Sequence, residues 1–239
     1  MKIVTWNCNG GFGKKFSLLN EFDADILVVQ ECENPQTTRH KPYRAWAKNS
    51  LWIGENEKKG LGIFAKENIS IEQLDWDCSV TYEPCETTTL KYFISCTVNN
   101  EFTLLGAWCH KADARRFAYI GQLWQYLQKH KTKLTKTIIA GDLNSNVIWD
   151  RKRRCWNHSD VVRELKELKI ASAYHHFSGD EAGKESVPTF FMQRNLENKY
   201  HIDYIFASEE YLKSLKKMEI GSIADWIRVS DHMPLFCEF

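Results

Sequence analysis

The sequence lacks several features that would assign it to a specialised class of protein. No apolar run reaches the roughly 18 uncharged residues that a membrane-spanning helix needs. There is no CxxC pair, no His/Cys cluster with zinc spacing, no internal repeat and no linker rich in Pro, Gly or Ser. The 32 basic and 31 acidic residues leave a formal net charge of +1, so attraction of an anionic partner would depend on local charge. We therefore expect no membrane partner, and a single domain over residues 1–239.

We also expect no export signal, because the apolar run in the N-terminal MKIVTWNCNGG is too short for the core of a signal peptide. Several cysteines nevertheless lie inside strand-like runs, where a reduced thiol packs as a small hydrophobic group. We expect buried, reduced thiols and a cytoplasmic location rather than disulfides. The eight cysteines are Cys8, Cys32, Cys78, Cys85, Cys96, Cys109, Cys155 and Cys237.

Hydrophobic spacing alternates between strand and helix patterns along the chain. Helical spacing is found from Lys15 to Phe22, from Ala114 to Lys129, and in SDVVRELKELK, which Ser159 can cap. Sheets that alternate with helices predict an α/β fold in which packed sheets are flanked by helices. The strand-like runs are KIVTW, DILVVQE, GLGIFA, SIEQL, TLKYFISCTV, EFTLLGAWC, KTIIAGD, YHIDYIFA and MPLFCEF.

Acidic, amide and imidazole side chains lie at or near the ends of almost every central strand that the sequence predicts. Polar residues are ordinary where a strand meets solvent, but a purely solvent-exposed position would also collect Lys, Ser and Thr. The residue types found here are those that bind hard divalent cations and transfer protons. They are Asn7, Asn9, Glu31, His110, Asp142, Asn144, Asp203, Asp231 and His232.

Six ordered motifs resemble those of the endonuclease/exonuclease/phosphatase superfamily, which includes exonuclease III-like and DNase I-like metal-dependent phosphoesterases. The motifs are TWNCNG, LVVQE, the His of WCHK, GDLNSN, the IDY of YHIDYIF, and SDHMPL. The resemblance implies a four-layer α/β/β/α sandwich of two packed, mostly antiparallel mixed sheets. It also implies a monomeric Mg²⁺-dependent phosphodiesterase, with Mn²⁺ as a substitute for Mg²⁺.

The resemblance further implies a division of roles among the motif residues. Glu31 is the first choice for a Mg²⁺ ligand, since this ion prefers carboxylate oxygens, and Asn7 and Asp231 are its expected neighbours. Asp142 would orient or deprotonate the attacking water, and Asn144 would hold the aspartate or the phosphate by hydrogen bonds.

His232 would contact the scissile phosphate, while Asp203 fixes its tautomer and favours the charged imidazolium. His110 matches the histidine of DNase I-like and sphingomyelinase-like members, where repair-type members have a tyrosine, and it would donate to the phosphate or the leaving group. Asn9 stands where many repair-type members have an aspartate. This removes one negative charge and makes a second tightly bound ion less expected.

Substrate contacts are predicted from a segment with cationic and aromatic residues, SNVIWDRKRRCWNHS, which suits a phosphate backbone and unstacked bases. A solvated basic loop with its tryptophans packed underneath is the alternative. The leading prediction is a DNA nuclease, with RNA second. The alternatives are a phosphatase or phosphodiesterase for phospholipid head groups, inositol phosphates or small nucleotides, and a non-catalytic nucleic-acid-binding relative. The predicted contacts are Asn9, Trp149, Arg151, Lys152, Arg153, Arg154, Trp156, His175 and Thr189.

Overall fold

The computed structural model describes residues 1–82, 86–111 and 117–239. The α-helices are α1 (Lys41–Trp46), α2 (Ile120–His130), α3 (His158–Glu167), α4 (Ala173–Ser178), α5 (Glu209–Lys213) and α6 (Ile223–Trp226). Short 3₁₀ helices cover Phe12–Lys14, Phe16–Phe22, Lys131–Lys133, Val147–Trp149 and Met192–Arg194. The strands are β1 (Lys2–Asn7), β2 (Ile26–Cys32), β3 (Ser50–Asn56), β4 (Lys59–Ala65), β5 (Ile71–Gln73), β6 (Ser79–Tyr82), β7 (Glu86–Thr89), β8 (Phe93–Val98), β9 (Phe102–Trp108), β10 (Thr137–Asp142), β11 (Ile170–Ser172), β12 (Phe190–Phe191), β13 (Lys199–Tyr200), β14 (Asp203–Ser208), β15 (Lys217–Ile220) and β16 (Leu235–Glu238).

Two six-stranded sheets form the centre of the molecule. The first sheet has the order β15-β16-β1-β2-β4-β3, and the second has the order β11-β14-β10-β9-β8-β5. In each sheet the pair at the centre is parallel, β1 with β2 and β9 with β10, while the other pairings are antiparallel. Because parallel neighbours end at the same edge of a sheet, the residues that follow β1, β2, β9 and β10 are brought together in pairs.

The sheets pack face to face and are covered by helices on their outer faces. The layer between them contains Val28 from the first sheet and Leu104 from the second. Helices α2 and α3 cover the second sheet through side chains such as Leu123 and Leu165, and an aromatic cluster around Phe12 covers the first. The predicted four-layer α/β/β/α sandwich is therefore confirmed.

Two of the predicted helices differ in detail from the structure. The segment that follows Lys15 is a 3₁₀ helix over Phe16–Phe22, not an α-helix. The helix predicted from Ala114 is observed as Ile120–His130, and residues 112–116 lie outside the described ranges. The periodic pattern thus located both segments without fixing the type of the first or the start of the second.

Two boundaries have local physical causes and differ from those expected from the sequence. Helix α3 is capped by Asn157, which forms a reciprocal capping box with Asp160, rather than by Ser159. The run TLKYFISCTV is divided between β7 and β8, because Tyr92 has a left-handed φ of 63° that interrupts the extended backbone.

The described cysteines are free thiols, and most of them are buried as predicted. Cys155 is exposed instead, because it lies in the basic loop before α3. Cys85 lies outside the described residues. Among the helices of the described ranges, none is long and apolar enough to cross a membrane.

Gly141 lies where β9 and β10 approach too closely for a side chain. A Cβ at this position, which has a φ of 157°, would lie 1.7 Å from the carbonyl oxygen of Ala107. We predict that Gly141→Ala lowers the free energy of unfolding by about 3 kcal/mol, because a clash with backbone cannot be relieved by a rotamer change. Urea denaturation of both proteins measures the difference.

Gly179 provides the control, since it has a φ of 77° but no atom within 4 Å of the position that a Cβ would take. Gly179→Ala should cost only about 1 kcal/mol, from backbone strain alone. Equal losses of stability in the two variants would contradict the expected clash at Gly141.

Candidate active site

The central strands of the two sheets bring polar side chains to one edge of the sandwich. Strand β1 ends at Asn7 and β10 ends at Asp142, while β14 begins at Asp203, directly opposite Asp142 in the antiparallel register. Asn7 Nδ2 donates a hydrogen bond of 3.0 Å to Asp142 Oδ2 and so connects the first sheet to the second. The structure therefore gathers residues that are far apart in the chain.

Asp142 is fully buried and accepts hydrogen bonds from both sides. In addition to Asn7, the Asn144 side chain donates from Nδ2 at 2.9 Å, and the Asn144 backbone N–H donates at 2.8 Å. Burial, followed by repulsion from Asp203, raises the pKa of Asp142 to about 7, and the opposing effects of His232 and the hydrogen bonds are smaller. The carboxyl group thus titrates near neutral pH, which is the useful range for a general base.

His232 is the buried partner of Asp203, and its Nδ1 lies 2.9 Å from Asp203 Oδ2. Burial disfavours the charged ring, but Asp203 outweighs this effect, with help from Asp142, and raises the pKa of His232 to about 9. The ring is therefore an imidazolium at neutral pH. Because Nδ1 is engaged with Asp203, the nitrogen that remains to meet a substrate is Nε2.

The backbone around His232 is fixed by two residues that were not predicted from the sequence. Trp6 Nε1 donates to the carbonyl oxygen of His232 at 3.0 Å. Ser230 Oγ accepts from the His232 N–H at 3.0 Å and donates to the Asn7 carbonyl oxygen at 2.7 Å. Ser230 lies inside the SDH motif, which could have identified it from the sequence. Trp6 lies inside TWNCNG, but no other feature of the sequence pointed to it.

A second set of hydrogen bonds connects Asp231 to the same network through Asn9. The Asn9 backbone N–H donates to Asn7 Oδ1 at 3.0 Å, and Asn9 Nδ2 donates to Asp231 Oδ1 at 2.8 Å. Lys15 holds the two loops together, since its Nζ donates to the carbonyl oxygens of Cys8, Gly10 and Val229. Asn9 therefore positions its neighbours, and its exposed side chain also borders the site.

Glu31 occupies a β-bulge at the end of β2. The register between β2 and β4 shifts between Gln30 and Cys32, and Glu31 has a left-handed φ of 61°. Such a backbone conformation is costly for a residue other than glycine and often occurs at functional sites. Its carboxylate Oε2 lies 2.6 Å from Lys59 Nζ. Because this carboxylate already forms an ion pair with an ammonium group, it is suited to binding a metal cation.

One group of buried side chains has ligand atoms close enough together to hold a metal ion. Ligand atoms of Asp142, Asp203 and His232 all lie within 4.8 Å of one another. In that group, however, His232 Nδ1 is already bonded to Asp203, and the imidazolium supplies the positive charge. The predicted ligands Glu31, Asn7 and Asp231 offer oxygen atoms, the ligand type that Mg²⁺ prefers, and Asn7 Oδ1 keeps a second lone pair.

His110 lies at the same edge of the second sheet. The preceding residue, Cys109, donates its backbone N–H to the Asp142 carbonyl oxygen at 2.8 Å, which places His110 beside the end of β10. Its ring packs edge-on against Trp108 at 5.0 Å and Tyr92 at 5.7 Å. The structure thus places the ring in an aromatic wall at this edge of the second sheet.

The predicted substrate contact of Thr189 needs correction. This residue is fully buried, and its hydroxyl donates to Asp203 Oδ2 at 2.7 Å. The hydroxyl oxygen in turn accepts from the backbone N–H groups of Ile202 and Asp203. Because the hydroxyl is used in this way, Thr189 orients Asp203 rather than a substrate.

The His175 ring is held by hydrogen bonds to two polar neighbours. Its Nδ1 lies 2.9 Å from Ser172 Oγ, and its Nε2 lies 3.2 Å from Glu185 Oε1. Glu185 Oε1 also accepts from Asn146 Nδ2, so these side chains form a polar group that supports the loop after β10. The substrate contact of His175 stays a prediction, and the structure shows a supporting role for its ring.

The basic loop between β10 and α3 divides into an anchored part and an exposed part. The Arg154 guanidinium lies 4.5 Å from the ring centre of Trp156, and that ring packs against α2 at Gly121. These two residues anchor the loop, so the alternative interpretation of a packed tryptophan holds for Trp156. Trp149 is 41% exposed and its ring lies 5.0 Å from that of Tyr200.

The exposed part of the loop consists of Arg151, Lys152 and Arg153. Together with Trp149 it presents positive charge next to an accessible aromatic ring. The shared aromatic partner, Tyr200, was not identified from the sequence, because a tyrosine in a strand gave no signal of its own.

We predict that Asp203→Asn lowers the pKa of His232 from about 9 towards its ordinary value of 6.5, since only the weaker effects of Asp142 and Asp231 then oppose burial. NMR titration of the imidazole measures this shift. In the wild type the bond between Asp203 and the charged His232 ring raises the free energy of unfolding. This contribution is complete below about pH 6.5 and is lost as the pH rises through about 9. The variant should show no such loss of unfolding free energy over that window.

Thr189→Ser is the control, because it keeps the hydroxyl that orients Asp203 and should keep the high pKa of His232. A wild-type His232 that titrates near 6.5 would contradict this description of the pair.

Comparisons with known proteins identify the family and agree with the fold. The model of the endonuclease/exonuclease/phosphatase family matches residues 4–232. No curated protein matches the chain in sequence. Among solved structures, the 3′ phosphatase NExo from Neisseria, bound to a product DNA hairpin, has a TM-score of 0.70 at 20% identity, covering 100% of this chain and 99% of that one.

An AP endonuclease from Archaeoglobus fulgidus has a TM-score of 0.68 at 20% identity, with the same coverage of 100% and 99%. A family protein from Leptotrichia buccalis has a TM-score of 0.62 at 14% identity and covers 100% of this chain and 98% of its own. At these identities the structural likeness shows the fold, while the family match extends over nearly the whole chain. The chain belongs to the endonuclease/exonuclease/phosphatase family, and it is a hydrolase that acts on phosphoester bonds.

Proposed function

We propose that this protein is a Mg²⁺-dependent nuclease that hydrolyses phosphodiester bonds of DNA. The observation that carries the proposal is the buried network of Asn7, Asp142, Asn144, Asp203 and His232, which places a near-neutral carboxyl group beside an imidazolium. An in-line displacement at phosphorus needs a positioned water on one side and stabilisation of negative charge around the phosphoryl group.

Asp142 supplies the base in this mechanism. Its raised pKa makes the carboxylate a stronger proton acceptor than an ordinary aspartate, so it can take a proton from the attacking water near neutral pH. Asn7 and Asn144 hold the carboxylate in a fixed orientation by their hydrogen bonds to it. The water is thereby directed at the phosphorus atom from a defined side.

His232 supplies positive charge to the phosphoryl oxygens. Its Nε2–H is directed by the bond between Nδ1 and Asp203, which Thr189 holds in turn. A buried cationic donor stabilises the charge that develops in the transition state more strongly than a solvated one. His110, in the adjacent aromatic wall, is our proposed donor to the leaving oxygen.

Mg²⁺ would be held by Glu31, with Asn7 and Asp231 as neighbouring oxygen donors, and when bound it would neutralise charge on the phosphoryl oxygens. The presence of Lys59 against Glu31 supports this position, because the ammonium stands in for a cation. Asn9 holds Asp231 in place through the hydrogen bond from its side chain to the Asp231 carboxylate.

Nucleic acid is the substrate that the surface next to the site favours. The exposed side chains of Arg151, Lys152 and Arg153 can contact successive phosphates, and the accessible ring of Trp149 can stack on a base. Two structural neighbours are named for DNA-processing activities, one as a 3′ phosphatase with a DNA hairpin and the other as an AP endonuclease.

Cleavage assays with and without Mg²⁺ on labelled single- and double-stranded DNA and RNA test the proposal. We predict Mg²⁺-dependent cleavage of DNA by the wild type. Asp142→Asn should lower kcat by about 10²- to 10⁴-fold, as expected for loss of a general base, while nucleic-acid binding stays within about twofold.

Two results would contradict this proposal. The first is that no nucleic acid is cleaved, while phosphate or phosphorylated head groups are released from phospholipids, inositol phosphates or nucleotides. The second is that Asp142→Asn retains the full biological activity of the wild type, which would indicate a non-catalytic binding protein.

We predict that replacing Arg151, Lys152 and Arg153 by alanine weakens DNA binding and flattens its dependence on salt. The slope of log K against log [salt] should fall by about 0.9 for each phosphate contact that is lost on duplex DNA. Fluorescence anisotropy at several salt concentrations measures the slope.

Alanine at Lys213, Lys216 and Lys217 is the control, because it removes the same charge at the opposite edge of the sheets, near the last residues of β14 and β16. That variant should keep the wild-type slope. An identical slope in all three proteins would show that the basic loop is not part of the DNA-binding surface.

A further inference from the structure

The contact between Glu31 and Lys59 affects how a divalent cation would bind to the Glu31 carboxylate. Lys59 Nζ lies 2.6 Å from Glu31 Oε2, which is the distance of a charge-assisted hydrogen bond. The carboxylate side chain is only 19% exposed, whereas the lysine side chain is 51% exposed. The ammonium is therefore the solvent-accessible partner and the carboxylate the more enclosed one.

The backbone places Lys59 at this position. It begins β4, where it pairs with Asn56 at the turn of the β3–β4 hairpin. The next residue is Gly60, and a Cβ there would lie 2.2 Å from the carbonyl oxygen of Ile53, so the hairpin closes tightly at this point. The tight turn and the bulge at Glu31 together direct the lysine towards the carboxylate.

The lysine side chain also borders the loop that follows β1. Its Cε lies 3.9 Å from the position that a Cβ on Gly10 would take. Asn9, the residue before, bonds to both Asn7 and Asp231. The Lys59 side chain thus contacts Glu31 and also borders the loop after β1, whose Asn9 bonds to the other two proposed oxygen donors, Asn7 and Asp231.

We propose that Lys59 is a tethered counter-ion of Glu31, which a divalent cation displaces and which then binds a phosphate of the substrate. This inference rests on the proposed function, because it takes Glu31 as the metal ligand. A divalent cation and an ammonium cannot share the same carboxylate oxygen at full strength, since they repel each other at short distance. Lys59 therefore weakens metal binding in the free protein and strengthens substrate binding once the metal is present.

The test compares Lys59→Met with Lys58→Met. Lys58 is exposed, lies in the same turn and has the same charge, but the structure gives it no contact with Glu31 through its side chain. Mn²⁺ binding in the absence of substrate is followed by electron paramagnetic resonance of the free ion. We expect Lys59→Met to bind Mn²⁺ about fivefold more tightly than the wild type, and Lys58→Met to bind it within about twofold of the wild type.

The second measurement is the KM for DNA at saturating Mg²⁺. Lys59→Met should raise it by about three- to tenfold, because one cationic contact with phosphate is lost, whereas Lys59→Arg should restore it to near the wild-type value. Thermal unfolding of each variant checks that the exposed substitutions leave the fold intact.

A third variant separates failure of this inference from failure of the proposed function. If Glu31→Gln weakens Mn²⁺ binding but Lys59→Met leaves it unchanged or weakens it, the role of Lys59 is wrong and the metal site stands. If neither Glu31→Gln nor Lys59→Met changes Mn²⁺ binding, Glu31 is not a ligand and both proposals fail at that site. Tighter binding in Lys58→Met as well as in Lys59→Met would show a general charge effect and overturn the specific role.

Discussion

A hydrogen bond from Asn7 to Asp142 joins the last residues of two central strands that belong to different sheets, and the arrangement of the site depends on it. Through this contact the two sheets share one edge. Asp142 then lies opposite Asp203 in the antiparallel register, while Ser230 fixes the segment before β16 to the end of β1. A shift of one residue in either register would turn these side chains to the opposite face of the sheet.

The second constraint is the burial of three ionisable groups in one place. Two carboxyl groups and an imidazole out of water would be costly if any of them lacked a partner. Asp203 and His232 bond directly, the Thr189 hydroxyl holds Asp203 from the other side, and asparagine side chains satisfy Asp142. The same low-polarity surroundings raise the pKa of Asp142, so the feature that is costly for stability suits proton transfer.

Much of this organisation could be predicted from the sequence, because the central strands are buried on both faces and their ends carry distinctive residues. The apolar runs of KIVTW and TIIAGD led directly to Asn7 and Asp142. Contacts set by tertiary packing could not be predicted. Whether Trp149 or Trp156 packs against a helix depends on the absence of a side chain at Gly121, and Lys59 reaches Glu31 only because of a bulge in a strand pairing. The role of Thr189 could not be predicted either, because its hydroxyl bonds to Asp203, which lies 14 residues further along the chain.

In our proposal the chemistry is divided between two places: Asp142, Asp203 and His232 would handle protons and charge, and a metal ion would bind at Glu31. Anomalous X-ray scattering from a crystal soaked with Mn²⁺ distinguishes these two places. We expect an anomalous peak bonded to the Glu31 carboxylate, with the bond between His232 Nδ1 and Asp203 retained. A single peak enclosed by Asp142, Asp203 and His232, with His232 Nδ1 turned towards the ion, would contradict this division.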